Sequence, residues 1–146
     1  MDGSKPTLLV SACLLGVRCN HEGASAKVNL RAALDGRFRV IPVCPEAAGG
    51  LTTPRPAAEI QADGRVVNVD GVDVTREYRR GAEVAVRLAE ATGAERAVLK
   101  ARSPSCGSGG VYDGTFSGTL VDGRGVTAAA LGDAGLTVTS EDDPLP

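Results

Sequence analysis

The chain has 146 residues, of which 42% are hydrophobic and 23% charged, and its net charge is -2. That balance excludes extensive disorder and suits one packed core, and so small a charge gives no bulk attraction to nucleic acid or an anionic membrane. With no Trp, two Phe and two Tyr, the aromatic platforms of single-strand RNA binders are missing.

No apolar run approaches the ~20 residues of a membrane span. Met1 to Pro6 lacks the charged and apolar regions of a signal peptide and leads directly into a strand. A cytoplasmic location is therefore expected, where four cysteines are thiols or metal ligands more readily than disulfides.

The aliphatic run Thr7 to Ala12 predicts a first strand, followed by a Gly- and Asn-containing loop from Cys13 to Gly23. Apolar spacing predicts a helix over Ala26 to Leu34, stopped by Gly36, and a second strand over Phe38 to Val43. The stretch from Cys44 to Pro56 is too rich in Pro and Gly to be regular. Glu59 to Val69, turning at Ala62-Asp63-Gly64, reads as a small hairpin.

A helix is expected from about Thr75 to Ala91, capped by Asp73 or Thr75 and stopped by Gly93. Its apolar face holds Val84, Leu88 and Ala91, with Tyr78 and Ala85 beside them. Arg96 to Lys100 is the third strand, and Val111 to Val121 is mostly extended. A short helix over Gly125 to Leu131 and a last strand over Leu136 to Ser140 complete the chain, with Glu141 to Pro146 as a loose tail.

Strands alternating with helices define an α/β class. The expected architecture is a single Rossmann-like domain, a mainly parallel sheet of about four strands with helices on both faces and a small β-hairpin insertion. Ligands of such sheets bind at the carboxyl ends of the strands, where the strand order reverses. Cys13, Cys44 and Cys106 each follow a strand, so the fold would gather them on that edge.

Several chemistries compete for these thiols. Free Cys is often a buried core residue, but these lie in loops instead of inside elements. A Cys13–Cys19 disulfide conflicts with the expected compartment. Zinc favours closely spaced ligand pairs; the nearest pair here is Cys13 and Cys19, with His21 as the lone imidazole. A Cys-x₅-Arg phosphatase loop would need one more residue between Cys13 and Arg18. Three thiolates from separate loops suit a [4Fe–4S] cluster with one open iron, a position at which substrate sulfur could bind. Cys19, as a fourth ligand, would instead close the cluster.

The stretches SACLLGVRC, PVCPEAAGGLTTPRPAAEI, DVT and LKARSPSCGSGGVYDGTFSG resemble a bacterial family long labelled a domain of unknown function, some of whose members are thiouracil desulfurases (desulfidases). The resemblance runs from about Val10 to Glu141. It implies a cytoplasmic [4Fe–4S] enzyme removing sulfur from a thiolated nucleobase such as thiouracil, a small-molecule substrate, with release of hydrogen sulfide. On the matching motifs, Cys13, Cys44 and Cys106 correspond to the cluster ligands, and Glu46 and Ser103 to the catalytic residues. Where the family often reads Arg-Tyr-Asp-Gly, this chain has Asn20-His21-Glu22-Gly23.

The residues agree with that chemistry. A carboxylate two positions past a ligand, Glu46, can guide and deprotonate water, although a Glu in a loop is more often simply solvated. Ser103 can bond the substrate or relay a proton, or it can be a turn-forming hydroxyl before Pro104. Arg55, Lys100 and Arg102 could touch substrate oxygens or the cluster's charge, although such residues are more often surface cations. The alternative functions are a non-enzymatic zinc or closed-cluster module, and a sulfur-transfer enzyme acting on RNA.

Overall fold

The computed structural model describes residues 5–146. Four aliphatic runs form one parallel sheet: β1 (Thr7–Ser11), β2 (Arg39–Val43), β5 (Arg96–Leu99) and β8 (Thr137–Ser140), in the order β2-β1-β5-β8. The inner strands carry the unbroken apolar runs because both of their faces are covered. Leu8 and Val10 point to one face and Leu9 to the other, and all three are fully buried. Pro42, which has no N–H to donate, sits in β2, an edge strand paired only with β1.

One face is covered by α3 (Thr75–Thr92) and α4 (Val126–Asp133), whose Ala85, Ala89, Ala128 and Leu131 pack with Leu9, Ala97 and Leu99. The opposite face is covered by a 3₁₀ turn (Ala12–Leu15), by α1 (Arg31–Asp35) and by Leu145 of the C-terminal segment. A hairpin of β3 (Ala58–Ile60) and β4 (Val66–Asn68) stands apart, as does a second one, β6 (Val111–Tyr112) with β7 (Leu120–Val121). The α/β class, the parallel sheet with helices on both faces and the hairpin insertion are those expected from the order of elements.

Five local expectations are corrected. The predicted helix over Ala26 to Leu34 shrinks to α1, because the N–H groups of Ala26 and Leu30 donate to the carbonyls of Cys13 and Leu14, and the Asn29 side chain accepts from Arg31 N. The stretch after Cys44, expected to be irregular, opens with a one-turn helix, α2 (Pro45–Ala48). Pro45 occupies its first position, where a fixed φ is favourable and the missing N–H has no intrahelical partner to lose.

The buried stripe of α3 is Tyr78, Ala82, Ala85 and Ala89, whereas Ala91 is exposed and Val84 and Leu88 flank the stripe half-buried. Small residues at that spacing let the helix lie close on the sheet. Neither Asp73 nor Thr75 is the cap: Val74 flanks the helix without a side-chain cap bond, Asp73 accepts from Thr75 N at 2.9 Å in the turn before it, and the Thr75 hydroxyl accepts from Val66 N in β4. Lastly, the tail is docked. Glu141 pairs with Lys100 at 3.0 Å and accepts from Ala101 N at 2.7 Å, while Leu145 joins the core.

The contact between α2 and α3 is made by backbone. A Cβ on Gly81 would lie 1.9 Å from the Pro45 carbonyl oxygen, and one on Gly49 would lie 1.9 Å from that of Glu77. A glycine inside a helix costs about 1 kcal/mol relative to Ala, so Gly81→Ala on propensity alone should stabilise. We expect the opposite: a loss of about 1–3 kcal/mol, the scale of overpacking. Chemical denaturation of the apoprotein measures it, and an unchanged or raised midpoint would contradict this packing.

Candidate active site

β1 is followed in the chain by β2 on one side and, after α3, by β5 on the other, so the strand order reverses between β1 and β5. The loops leaving β1 and β5 there cannot cover the sheet edge together, and a crevice opens between them. A cleft of about 370 Å³ occupies this place. Its walls include Cys13, Cys19, Cys44 and Cys106 together with Glu46 and Ser103. Every residue singled out as a ligand or catalyst in the sequence thus faces one cavity.

Each thiol is held by its own element. Cys13 lies in the 3₁₀ turn after β1, and Cys44 directly precedes α2. Cys106 sits in a loop fastened to α4, whose first N–H groups donate to the carbonyls of Pro104 and Ser105. The Ser105 hydroxyl bonds that of Thr127 at 2.8 Å in the interior, and a Cβ on Gly125 would collide with the Ser105 backbone. The loop is therefore pinned on both sides of the cysteine.

All four cysteines are free thiols, Cys13 and Cys106 buried and Cys19 and Cys44 half-buried. Burial pushes Cys13 up to about 11 and Cys106 up to about 12, with nearby Lys100 opposing the shift at Cys13 and the Ser11 hydroxyl opposing it at Cys106. Cys44 moves the other way: the Cys19 thiol donates to it, and against its burial the Ala47 N–H adds a further bond. That same hydrogen bond, and then burial, pushes Cys19 up. As a thiol, Cys44 also lies 3.6 Å from the Cys19 carbonyl oxygen, to which it donates.

Among the described residues, no three His, Cys, Asp or Glu side chains converge on a single-ion shell. The donor set is nevertheless all sulfur, soft enough for iron, and it is spread around one cleft from three separate loops. A polynuclear cluster fits such a spread, since its ligands attach to different metal atoms. Cys19 shares the cleft, so location alone does not set it apart from the other three.

Glu46 is built into a network that sequence reasoning missed. Its Oε2 accepts from the Tyr78 hydroxyl at 2.5 Å, and its Oε1 lies 3.3 Å from Arg55 Nη2. Arg55 is no surface cation; its side chain is 3% exposed. Besides Glu46 it donates to Cys19 O, Thr52 O and the Thr53 hydroxyl. Burial works against its charge, but the Glu46 carboxylate outweighs this and raises the guanidinium pKa. Burial and the same carboxylate push the Tyr78 phenol up, so it remains a hydrogen-bond donor. Tyr78 carried only a helix-face signal in the sequence, and nothing there tied the Pro-flanked Arg55 to Glu46.

Lys100 and Arg102 also line the cleft, but neither is a free cation: Lys100 pairs with Glu141 at 3.0 Å and Arg102 with Asp142 at 2.8 Å. Asn20 Oδ1 is occupied by the N–H groups of Glu22 and Ala24, and His21, also in the wall, has no side-chain hydrogen bond among the described residues. Glu59, the second acidic group of the wall, is engaged by Gly114 N and Phe116 N.

A family model described as 2-thiouracil desulfurase matches residues 8–143. The chain belongs to the 2-thiouracil desulfurase family. Among solved structures it is similar to TudS, a [4Fe–4S]-dependent thiouracil desulfidase, with 48% identity over 94% of this chain and 92% of that one, at a TM-score of 0.89. A further relative is the uncharacterized protein YbbK of Bacillus subtilis (strain 168), 41% identical over 93% of this chain and 96% of that protein. The likeness to the thiouracil desulfurase family thus extends over nearly the whole chain.

Ser103 has a defined structural task in this desulfurase. Its hydroxyl oxygen accepts from Ser105 N at 3.1 Å and Cys106 N at 3.0 Å, so it shapes the loop carrying Cys106. Ser103→Ala should lower the stability of the metal-free protein by about 1–2 kcal/mol, and Ser103→Thr, which keeps the acceptor, should restore most of it. Denaturation midpoints of the three proteins decide this, and equal midpoints would confine Ser103 to chemistry.

Proposed function

We propose that this chain is a desulfidase that hydrolyses the carbon–sulfur bond of a thiolated pyrimidine such as thiouracil, giving the oxo base and hydrogen sulfide. The carrying observation is that four thiols from three loops and the clamped carboxylate of Glu46 face one cleft at the switch point of the sheet. Family membership and the likeness to TudS support the same activity and a [4Fe–4S] cofactor.

Cys13, Cys44 and Cys106 would hold the cluster, leaving Cys19 unligated. When bound, such a cluster supplies an open iron, a Lewis acid with affinity for substrate sulfur. Glu46 orients a water toward the ring carbon and takes its proton. Tyr78 and Arg55 keep the carboxylate in place without filling the cleft, and Ser103, whose oxygen already accepts two N–H groups, has its proton to offer to the substrate. The reaction consumes one water and needs no electron donor.

The readings of zinc module and RNA sulfur transferase find less support. No described triad of donors closes around a single ion, and the two cations lining the cleft are already paired, so an RNA backbone meets no row of free charges. The free thiols suit a reducing cytoplasm, and no helix among the described residues is long and apolar enough to cross a membrane.

Two experiments test the assignment. Anaerobically reconstituted Cys13→Ser, Cys44→Ser and Cys106→Ser proteins should each lose most of their iron and visible absorption, whereas Cys19→Ser should keep them; equal loss in Cys19→Ser would close the cluster. Glu46→Gln should retain full iron content yet release sulfide from 2-thiouracil roughly 10²–10⁴-fold more slowly, the scale of a lost general base. Near-normal turnover by that variant would remove Glu46 from the proton transfer.

A further inference from the structure

A carboxylate that takes a proton from water acts only if its oxygen is aimed, because a Glu side chain has three torsions to lose. Glu46 resides on α2, a single helical turn that has little rigidity of its own. Glu59, the other acidic residue of the wall, is tied into the backbone of the 114–116 segment. Among the described residues the Glu46 carboxylate accepts no backbone bond; both of its oxygens are met by side chains from elsewhere in the chain.

We propose that Tyr78 and Arg55 are positioning residues of the desulfidase, a two-sided clamp that aims the Glu46 carboxylate at the cleft. The inference rests on the desulfidase reading and deepens it. Tyr78 is 2% exposed and stands on α3, the longest helix, one turn before the Gly81 contact that seats α2. Its hydroxyl approaches Oε2 from the scaffold. Arg55 is absent from the cleft wall and reaches Oε1 from outside it.

The fork of Arg55 also fixes the loop of Cys19 and the turn at Thr52–Thr53, four acceptors for one planar group. Its Nε is buried with no partner among the described residues, so the guanidinium meets its acceptors through the Nη atoms. A lysine at this position keeps the charge but cannot span those acceptors.

The test uses the cluster-loaded full chain and sulfide release from 2-thiouracil without oxygen. Tyr78→Phe keeps the ring and removes one donor. It should lower kcat by roughly 10- to 100-fold, the scale of one hydrogen bond to a charged group, with KM, iron content and absorption unchanged. Arg55→Lys should lower kcat with iron retained, and less severely than Arg55→Gln. The decisive arm is the double variant: in a Glu46→Gln background, Tyr78→Phe should cost nothing further, because it acts only through Glu46.

Multiplicative losses in the double variant would overturn the clamp, as would full-rate Tyr78→Phe and Arg55→Lys enzymes beside an inactive Glu46→Gln. Loss of iron in Tyr78→Phe would assign the tyrosine to the cofactor site instead. A fully active Glu46→Gln enzyme would remove the base assignment and the clamp together, and so is distinguishable from failure of the clamp alone.

Discussion

The contact on which the site depends is the backbone approach of α2 to α3. With hydrogen in place of a side chain at Gly49 and Gly81, the carbonyls of Glu77 and Pro45 lie where Cβ atoms would otherwise be. That closeness places Cys44 at the start of α2 beside the cleft and brings Glu46 within 2.5 Å of the Tyr78 hydroxyl on α3. A one-turn helix has no independent stability, so α3 serves as its template. Cys44 and Glu46, the ligand and the base of the proposed reaction, are then positioned by one packing event.

The remaining pieces converge through sheet topology. Parallel strands all point their carboxyl ends the same way, so loops far apart in the chain meet at one edge. Each is then secured by a different device. The Cys13 turn folds back on its strand and receives Ala26 and Leu30; the Cys106 loop is stitched to the first turn of α4; the Cys44 turn rests on α3. The buried, elevated thiols of Cys13 and Cys106 stay neutral in the metal-free protein, which keeps like charges from accumulating in a confined space. A metal held through these thiols would displace those protons.

Charge in the cleft is balanced locally. Arg55 answers Glu46, Lys100 answers Glu141 and Arg102 answers Asp142, the last two with partners drawn from the C-terminal segment. The tail is therefore a structural part of the site. It holds the residues just past β5 through Ala101 N and the Lys100 side chain, immediately before the loop that carries Ser103 and Cys106.

The amino-acid sequence by itself determined the parallel α/β sheet, the long α3 with its Gly93 stop, the β3–β4 hairpin and the gathering of Cys13, Cys44 and Cys106. Apolar runs, helical spacing and turn residues are local signals, and a parallel sheet turns the order of strands into a shared edge. The same motifs, from SACLLG to SPSCG, carried the family. Only the tertiary structure decided the one-turn α2, the shortened α1, the docked tail and the partners of Glu46. Those depend on which carbonyl a distant N–H reaches and on which buried space a guanidinium or phenol fills. Arg55 between two prolines looks like any loop cation until Glu46, Cys19 and Thr52 surround it. Tyr78 looks like any core aromatic until its hydroxyl meets a carboxylate 32 residues earlier in the chain.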